Sequence, residues 1–290
     1  MIMKKTISAL CALALFATAA RAQSFSLLNL SYDPATLATG VTGEMSPALM
    51  YDLKHLKAQV SYGLWSPSSA SSSALGVSLR GKFAKMVTVG ADFKTFGSKP
   101  YEITDEGGSV KGEYKPSEFV VGINAGVMLG FGFSLGFGAH FASSKIAPDA
   151  SAKPFCFDAA VAYSGKIVQV SMGVYNLGTK FNYGGTESYS LPALVRASGR
   201  FVTGPVRTNV ELDYLFERAF MGGLGFEYSL KDHFFARAGF HYGGNDGKAI
   251  PWYGSVGLGC KFAGVTLDAA YLISKGGLAN TFRVALGYCF

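Results

Sequence analysis

The sequence predicts an all-β protein, a transmembrane antiparallel up-and-down β-barrel of about fourteen strands. Three observations predict it: alternation with period two along nearly the whole chain, strands longer than those of soluble sheets, and connections that alternate between tight and long. The composition agrees, because 37 glycines accompany 14% aromatic and only 16% charged residues. Glycine disfavours helices and aromatic side chains favour strands, so a helical globule is excluded.

Residues 1–22 have the pattern of a secretory signal peptide. Lys4 and Lys5 precede an apolar run of about 14 residues, which is too short for a spanning helix. A small-x-small site then predicts cleavage between Ala22 and Gln23. Cleavage removes three of the 26 basic residues and leaves 23 against 19 acidic ones, a net charge of +4. This charge is mild and no basic run accompanies it, so we expect no nucleic-acid partner.

The strands are read from the alternation, which is clearest near the C-terminus. We predict them at 56–65, 73–83, 84–96, 117–129, 131–143, 155–164, 166–176, 191–202, 206–216, 219–229, 233–242, 252–263, 264–274 and 279–290. A bilayer-spanning strand needs about 9 to 11 residues, whereas soluble strands average about 5 or 6. Length therefore favours a barrel over residues 56–290 in the outer membrane.

Short and long connections alternate along the chain. This alternation is typical of a membrane barrel whose N- and C-termini lie on the same side of the membrane. Tight connections are predicted at 84, 130, 165, 203–205, 229–232 and 263–264, and long ones lie between them. Glu217-Arg218 is the single short exception. A soluble sandwich has no reason to sort its loops in this way.

The two faces of each strand differ in chemistry, with apolar side chains on one and small or charged side chains on the other. Lipid requires an apolar outer face, so the charged residues should line the lumen. These are Arg80, Lys82, Asp92, Asp158, Arg196, Arg200, Glu211, Asp213, Glu227, Arg237, Asp268 and Arg283. A water-soluble barrel with its polar face outward is the alternative that composition leaves open.

Residues 23–55 do not fit the strand count, and they contain Pro34, Pro47, Gly40 and Gly43. A barrel of fourteen strands is too wide for its wall side chains alone to fill. One hypothesis is that this segment folds into the lumen as a plug. An extra pair of strands or a periplasmic tail are the alternatives.

Two pairs of segments carry a resemblance to a known family. Val174-Tyr175-Asn176-Leu177-Gly178 is followed by Leu191-Pro192 and Arg196, and Gly223-Leu224-Gly225-Phe226-Glu227-Tyr228 is followed by Phe235-Ala236-Arg237-Ala238-Gly239-Phe240. Over roughly 130–290 the chain resembles the PorV/PorQ family of Bacteroidota outer-membrane barrels, relatives of the FadL-type channels. The N-terminal region departs from the family, because Leu37-Ala38-Thr39-Gly40 and Ser46-Pro47-Ala48-Leu49 are degenerate versions of its motifs.

The resemblance implies two kinds of partner besides outer-membrane lipid. The C-terminal pattern of Phe282, Tyr288 and Phe290 is similar to the signal that barrel-assembly machinery reads. A PorV-like role in type IX secretion and surface attachment implies docking or shuttling of secreted cargo, or contact with the translocon. The alternative is a FadL-like or porin-like channel for small or apolar solutes.

Catalytic and metal-binding chemistry is weakly represented. Gly132-Phe133-Ser134-Leu135-Gly136 matches GxSxG, but that motif needs a strand–turn–helix elbow and here lies within an alternating strand. The histidines have no metal-ligand spacing, and the three cysteines of the mature chain form neither a disulfide framework nor a zinc site. Glu211 and Asp213, with Arg196 and Arg200 on the preceding strand, are interpreted as a wall ion-pair network. We therefore expect no enzyme activity, no catalytic residue, no metal and no cofactor.

Overall fold

The computed structural model describes residues 25, 28–43, 46–52, 56–65, 72–105, 107–216, 219–243, 250–274 and 280–290. The predicted signal peptide and its cleavage site at Ala22 and Gln23 lie outside these residues, as does Glu217-Arg218. Among the described residues, no helix is long and apolar enough to cross a bilayer.

Fourteen strands form a closed antiparallel barrel, as the alternation predicts. In chain order they are β1 (Lys57–Trp65), β2 (Ser72–Ala84), β3 (Val87–Gly97), β6 (Ser117–Gly130), β7 (Phe133–Ala147), β9 (Phe155–Ser164), β10 (Val168–Gly178), β11 (Leu194–Thr203), β12 (Val206–Leu215), β13 (Ala219–Leu230), β14 (Phe234–Tyr242), β15 (Tyr253–Phe262), β16 (Val265–Ile273) and β17 (Thr281–Cys289). Each pairs with its neighbours in this order, and β17 pairs with β1 to close the cylinder. The fold class is thereby confirmed.

Three short strands lie outside the barrel wall and were not predicted. β4 (Tyr101–Thr104) and β5 (Val110–Tyr114) form a hairpin in the long connection between β3 and β6. β8 (Ala150–Ala152) extends the end of β7. Extramembrane strands of three to five residues carry too few alternating positions to stand out in a sequence.

Tight turns join the strands at one end of the barrel, which we call the tight-turn end, and the opposite end is the loop end. Phe131-Gly132 and Ala263-Gly264 have positive φ at both residues, 52° and 84° in the first pair and 47° and 85° in the second. This conformation matches the twist of two-residue hairpins. Glycine supplies it without strain at the second position of each turn.

The outward positions carry large apolar side chains that are exposed to the surroundings. In β17, Phe282 and Leu286 are 43% and 58% exposed, while Arg283 between them is 2% exposed. The C-terminal Phe290 is also exposed, and its backbone N–H donates to the carbonyl of Leu56 at 2.9 Å. A belt of exposed apolar side chains on a closed sheet is the surface that lipid requires.

The residues before β1 form the N-terminal segment, described at 25, 28–43 and 46–52. It contains a short helix, α1 (Pro34–Leu37), and a 3₁₀ helix at Pro47–Asp52. Asp33 caps α1, because its carboxylate accepts from the N–H of Ala35 at 3.1 Å and from the hydroxyl of Thr36 at 3.1 Å. Proline at the first helical position suits this cap.

Candidate functional site

The candidate site is the lumen, where the N-terminal segment meets the inner faces of the barrel strands. It contacts β1 through Gln59, β7 through Ser134, β10 through Asn176 and β15 through Ser255. Further hydrogen bonds, a cation–π contact and close packing reach every other barrel strand. The segment thus runs around the inner wall.

Glycines on the inner faces make room for this segment. A Cβ at Gly225 or Gly239 would overlap the backbone of Thr39, and one at Gly136 would overlap the backbone of Ala48. Glycine permits close approach of two backbones because it has no side chain. An inward-facing glycine on several strands is a sequence signal for a lumenal backbone, and the sequence analysis did not use it.

Glu211 is the main polar anchor of the N-terminal segment. Its carboxylate, which is 1% exposed, accepts from the N–H and the hydroxyl of Thr42, both at 2.9 Å. The N–H of Gly43 lies 3.2 and 3.3 Å from the two carboxylate oxygens. A carboxylate that receives several donors forms charge-assisted hydrogen bonds, which are stronger than neutral ones.

Arg196 lies between Glu211 and Asp213, and its single positive charge pairs with both carboxylates. Its Nε and Nη2 atoms donate to the two oxygens of Asp213 at 2.8 and 2.6 Å, and Nε lies 3.2 Å from Glu211. The Tyr175 ring packs on the guanidinium, 5.5 Å from its centroid. Arg200, the other arginine expected in this network, lies opposite Asn209 and donates to its Oδ1 at 3.0 Å. The ion pairs described for the predicted network are centred on Arg196, and Arg200 lies two residue pairs nearer the tight turn than the Ser198–Glu211 pair.

A second network joins four charged side chains of β12, β13, β14 and β16. Arg237 bonds to Glu227 at 2.6 Å and to Asp268 at 2.7 Å, and Arg207 bonds to Glu227 at 2.7 Å. Charges buried in a wall need such partners, because an unpaired buried charge is costly. This arrangement explains why four charged residues can occupy neighbouring strands.

The remaining predicted lumenal residues fall into three groups. Arg283 and Arg80 reach the N-terminal segment, at the Ser31 carbonyl (3.4 Å) and the Tyr32 hydroxyl (2.9 Å). Lys82 is exposed near the tight-turn end. Asp92 and Asp158 instead line a small polar cavity.

That cavity has a volume of about 40 Å³ and lies between the N-terminal segment and the wall. Asp158 accepts from the N–H of Asn176 and bonds to His140 Nε2, each at 2.8 Å. Asp92 accepts from Asn124 at 2.8 Å through Oδ1, and its Oδ2 has no hydrogen-bond partner among the described residues. A polar space of this size can hold water.

Asn176 occupies an irregularity that the sequence motif marks. The β9–β10 register shifts between Val174 and Leu177, so Tyr175 and Asn176 are both buried. Asn176 has φ of 57°, and its amide donates to the Oδ1 of Asn29 at 2.6 Å. The Asn-Leu-Gly motif therefore has a structural role, since asparagine tolerates this conformation and binds the N-terminal segment.

An apolar cluster fills the lumen at the loop end. Phe25, at the start of the described N-terminal segment, packs edge-on against Phe181 with ring centroids 4.8 Å apart. Val120, Ala142, Ala152, Cys156 and Leu191 complete the buried part of the cluster. The connection between β10 and β11 supplies Phe181 and Leu191, so a long loop folds over the lumen. The alternation of the strands did not predict this buried apolar cluster inside the loop end.

The residues considered for chemistry have structural contacts. Ser134 of the GxSxG match lies inside β7 and its hydroxyl donates to the carbonyl of Ala48 at 2.6 Å. His241 is buried against the Tyr253 ring, with centroids 5.0 Å apart. Within the described ranges, no group of three or more His, Cys, Asp or Glu could hold a metal ion.

No protein-family model matches the chain, and no curated protein does. Solved structures with the same fold are the Pseudomonas putida toluene transporter TodX (TM-score 0.66, 10% identity), the Ralstonia pickettii toluene transporter TbuX (0.61, 11%) and a Pseudomonas aeruginosa FadL homologue (0.56, 11%). They match 91%, 90% and 90% of this chain, and 99%, 98% and 95% of their own. At this identity the likeness establishes the fold alone, a closed antiparallel barrel of fourteen strands. With its belt of exposed apolar side chains, the protein is an outer-membrane β-barrel.

Proposed function

We propose that this protein is an outer-membrane channel for small apolar solutes. The observation that carries the proposal is the apolar cluster around Phe25 and Phe181, inside the loop end of a barrel that shares its fold with known transporters. The buried residues of this cluster pack on one another, and an apolar solute that inserts among them gains free energy by leaving water. Barrels of the same fold include two proteins described as toluene transporters.

We infer further that the N-terminal segment is the lumenal plug considered from the sequence. Its contacts with the inner faces of the barrel strands, and the donors it directs at Glu211, support this role. A filled lumen resists the flow of hydrated ions, whereas an apolar solute needs only the apolar loop end to begin its passage. The channel should therefore differ from an open porin in its conductance.

The test is uptake by cells whose outer membrane otherwise admits little toluene. Cells that make the protein should take up radiolabelled toluene faster, with no change for glucose. Phe181→Asp places a charge in the cluster and should abolish the gain, whereas Tyr101→Asp, in the exposed β4–β5 hairpin of the same end, should preserve it. Toluene uptake equal to that of cells without the protein would refute the proposal.

The PorV/PorQ-type function, docking or shuttling of cargo for type IX secretion, rests on the sequence resemblance alone. The comparisons support the channel better, since the matching structures are transporters. Deleting the gene separates the two. Loss of surface-anchored proteins from the deletion strain would favour docking, and normal secretion with slower toluene uptake would favour the channel.

A further inference from the structure

The outer wall of the barrel has an apolar groove of about 420 Å³ near the tight-turn end, formed by strands β13 to β16. Ala236 and Ala269 lie on either side of Leu258 in the register, so two small side chains flank one large one. Leu258 is consequently 69% exposed. Leu230, Phe234 and Leu267 form the rim on the side of the turns.

The position of the groove restricts what can occupy it. It belongs to the apolar belt, where the medium is lipid and no water competes for the space. Its volume of about 420 Å³ falls within the ~300–1,000 Å³ typical of small-molecule pockets. Leu230 and Phe234 are the residues on either side of the β13–β14 turn, so one end of the groove opens at the membrane surface.

The turn at this end of the groove carries a cation, Lys231. Lys231 directly follows Leu230 and is exposed. Asp232 beside it accepts from the hydroxyl of Ser229 at 3.2 Å, which directs the one acidic side chain of the turn toward the wall. Lysines at the edge of a membrane bind lipid headgroups in this way.

We propose that the groove is a binding site for one membrane phospholipid, with an acyl chain along Leu258 and the phosphate at Lys231. The site lies in the leaflet of the tight-turn end, which is the periplasmic leaflet because outer-membrane barrels place their short turns there. The bound lipid fills a concavity into which the acyl chains of the surrounding bilayer pack poorly. This site is on the opposite side of the wall from the lumen and is independent of the transport function.

Native mass spectrometry of the protein, released from nanodiscs of phosphatidylethanolamine and phosphatidylglycerol, tests the site. We expect one phospholipid to remain bound at collision energies that remove the others. Ala236→Phe combined with Ala269→Phe fills the groove and should lower the lipid-bound fraction by about tenfold. Ala91→Phe, at an exposed outward position of β3 between Leu79 and Ile123, is the matched control and should retain the lipid.

Lys231→Glu tests the headgroup contact separately and should reduce retention without closing the groove. Circular dichroism establishes that each variant is folded. A wild-type protein that retains no lipid, or a groove-filled variant that retains it as well as the control, would overturn the proposal. A wild-type dimer that the groove-filling variant converts to a monomer would also overturn it and assign the groove to a second copy of the chain.

Discussion

Arg196 and Asp213 face each other across strands β11 and β12 and are joined by two hydrogen bonds, of 2.8 and 2.6 Å, inside the lumen. The same guanidinium lies 3.2 Å from Glu211, the carboxylate that receives the backbone of Thr42 and Gly43. One arginine thus neutralises the carboxylate that anchors the N-terminal segment. The stability of the wall and the position of the segment are coupled at this point.

Replacing Arg196 by methionine should destabilise the barrel more than any other single change in the network. It leaves Asp213 and Glu211 as neighbouring buried carboxylates without their cation, and breaking a buried pair costs ~3–5 kcal/mol. Urea unfolding in detergent micelles measures the loss. Arg200→Met is the control, because Arg200 is exposed and such changes stay within about 0.5 kcal/mol. Equal stabilities of the two variants would contradict the arrangement.

Glu211→Gln should loosen the N-terminal segment while leaving the barrel closed. The amide keeps the shape but loses the charge that strengthens three donors, and hydrogen bonds to charged groups are worth ~1.5–3 kcal/mol. We expect faster proteolysis of the segment and ion conductance in planar bilayers. Glu227→Gln is the control, since Glu227 bonds to Arg207 and Arg237 in the wall. If both variants conduct alike, Glu211 has no special part in holding the segment.

Gly239→Ala should displace the N-terminal segment through its backbone rather than through charge. A Cβ at this position overlaps Thr39 and Gly40, whereas one at Gly254, on the neighbouring strand, meets only the Ile273 carbonyl at 3.9 Å. A substitution that forces the backbone to move costs ~1–3 kcal/mol. Hydrogen exchange of residues 36–43 should rise in Gly239→Ala and stay unchanged in Gly254→Ala. Unchanged exchange in both would show that the segment does not pack against β14 as described.

The barrel could be predicted from the sequence because its determinants are periodic. Each strand alternates apolar outward side chains with small or polar inward ones over about ten residues. A single residue that departs from the alternation therefore does not change the prediction of the strand. Tight turns fell where predicted because Gly132, Gly204 and Gly264 interrupt the alternation. The predicted and observed strand ends differ by at most a few residues, because fraying and bulges at a strand end depend on the adjacent strands.

The contents of the lumen could not be predicted in the same way. The contact between Glu211 and Thr42 joins residues 169 positions apart, and neither residue type predicts the other as its partner. Phe25 and Phe181 meet only because a long loop folds back over the barrel. Within the wall, the partner of each charged residue depends on the register, which places Arg196 opposite Asp213 and Arg200 opposite Asn209.

Acid should release the part of the N-terminal segment that Asp33 organises. Burial tends to raise the pKa of Asp33, but the positive charge of Lys57 and the hydrogen bonds from Gln59 and Ala35 outweigh it, so the pKa lies below the ordinary 3.8. A carboxyl with a lowered folded-state pKa contributes stability that is complete above the unfolded-state pKa and is lost as the pH falls through the folded-state pKa. The protection of the backbone amides of residues 33–38, measured as hydrogen exchange relative to the intrinsic rate at each pH, should therefore be constant from pH 7 to about 5 and fall below about pH 4. In Asp33→Asn the fall attributable to this group should be missing and the protection already weaker at pH 7, because the amide lacks the charge that Lys57 stabilises. Identical pH profiles for the two proteins would show that Asp33 does not hold α1 in place.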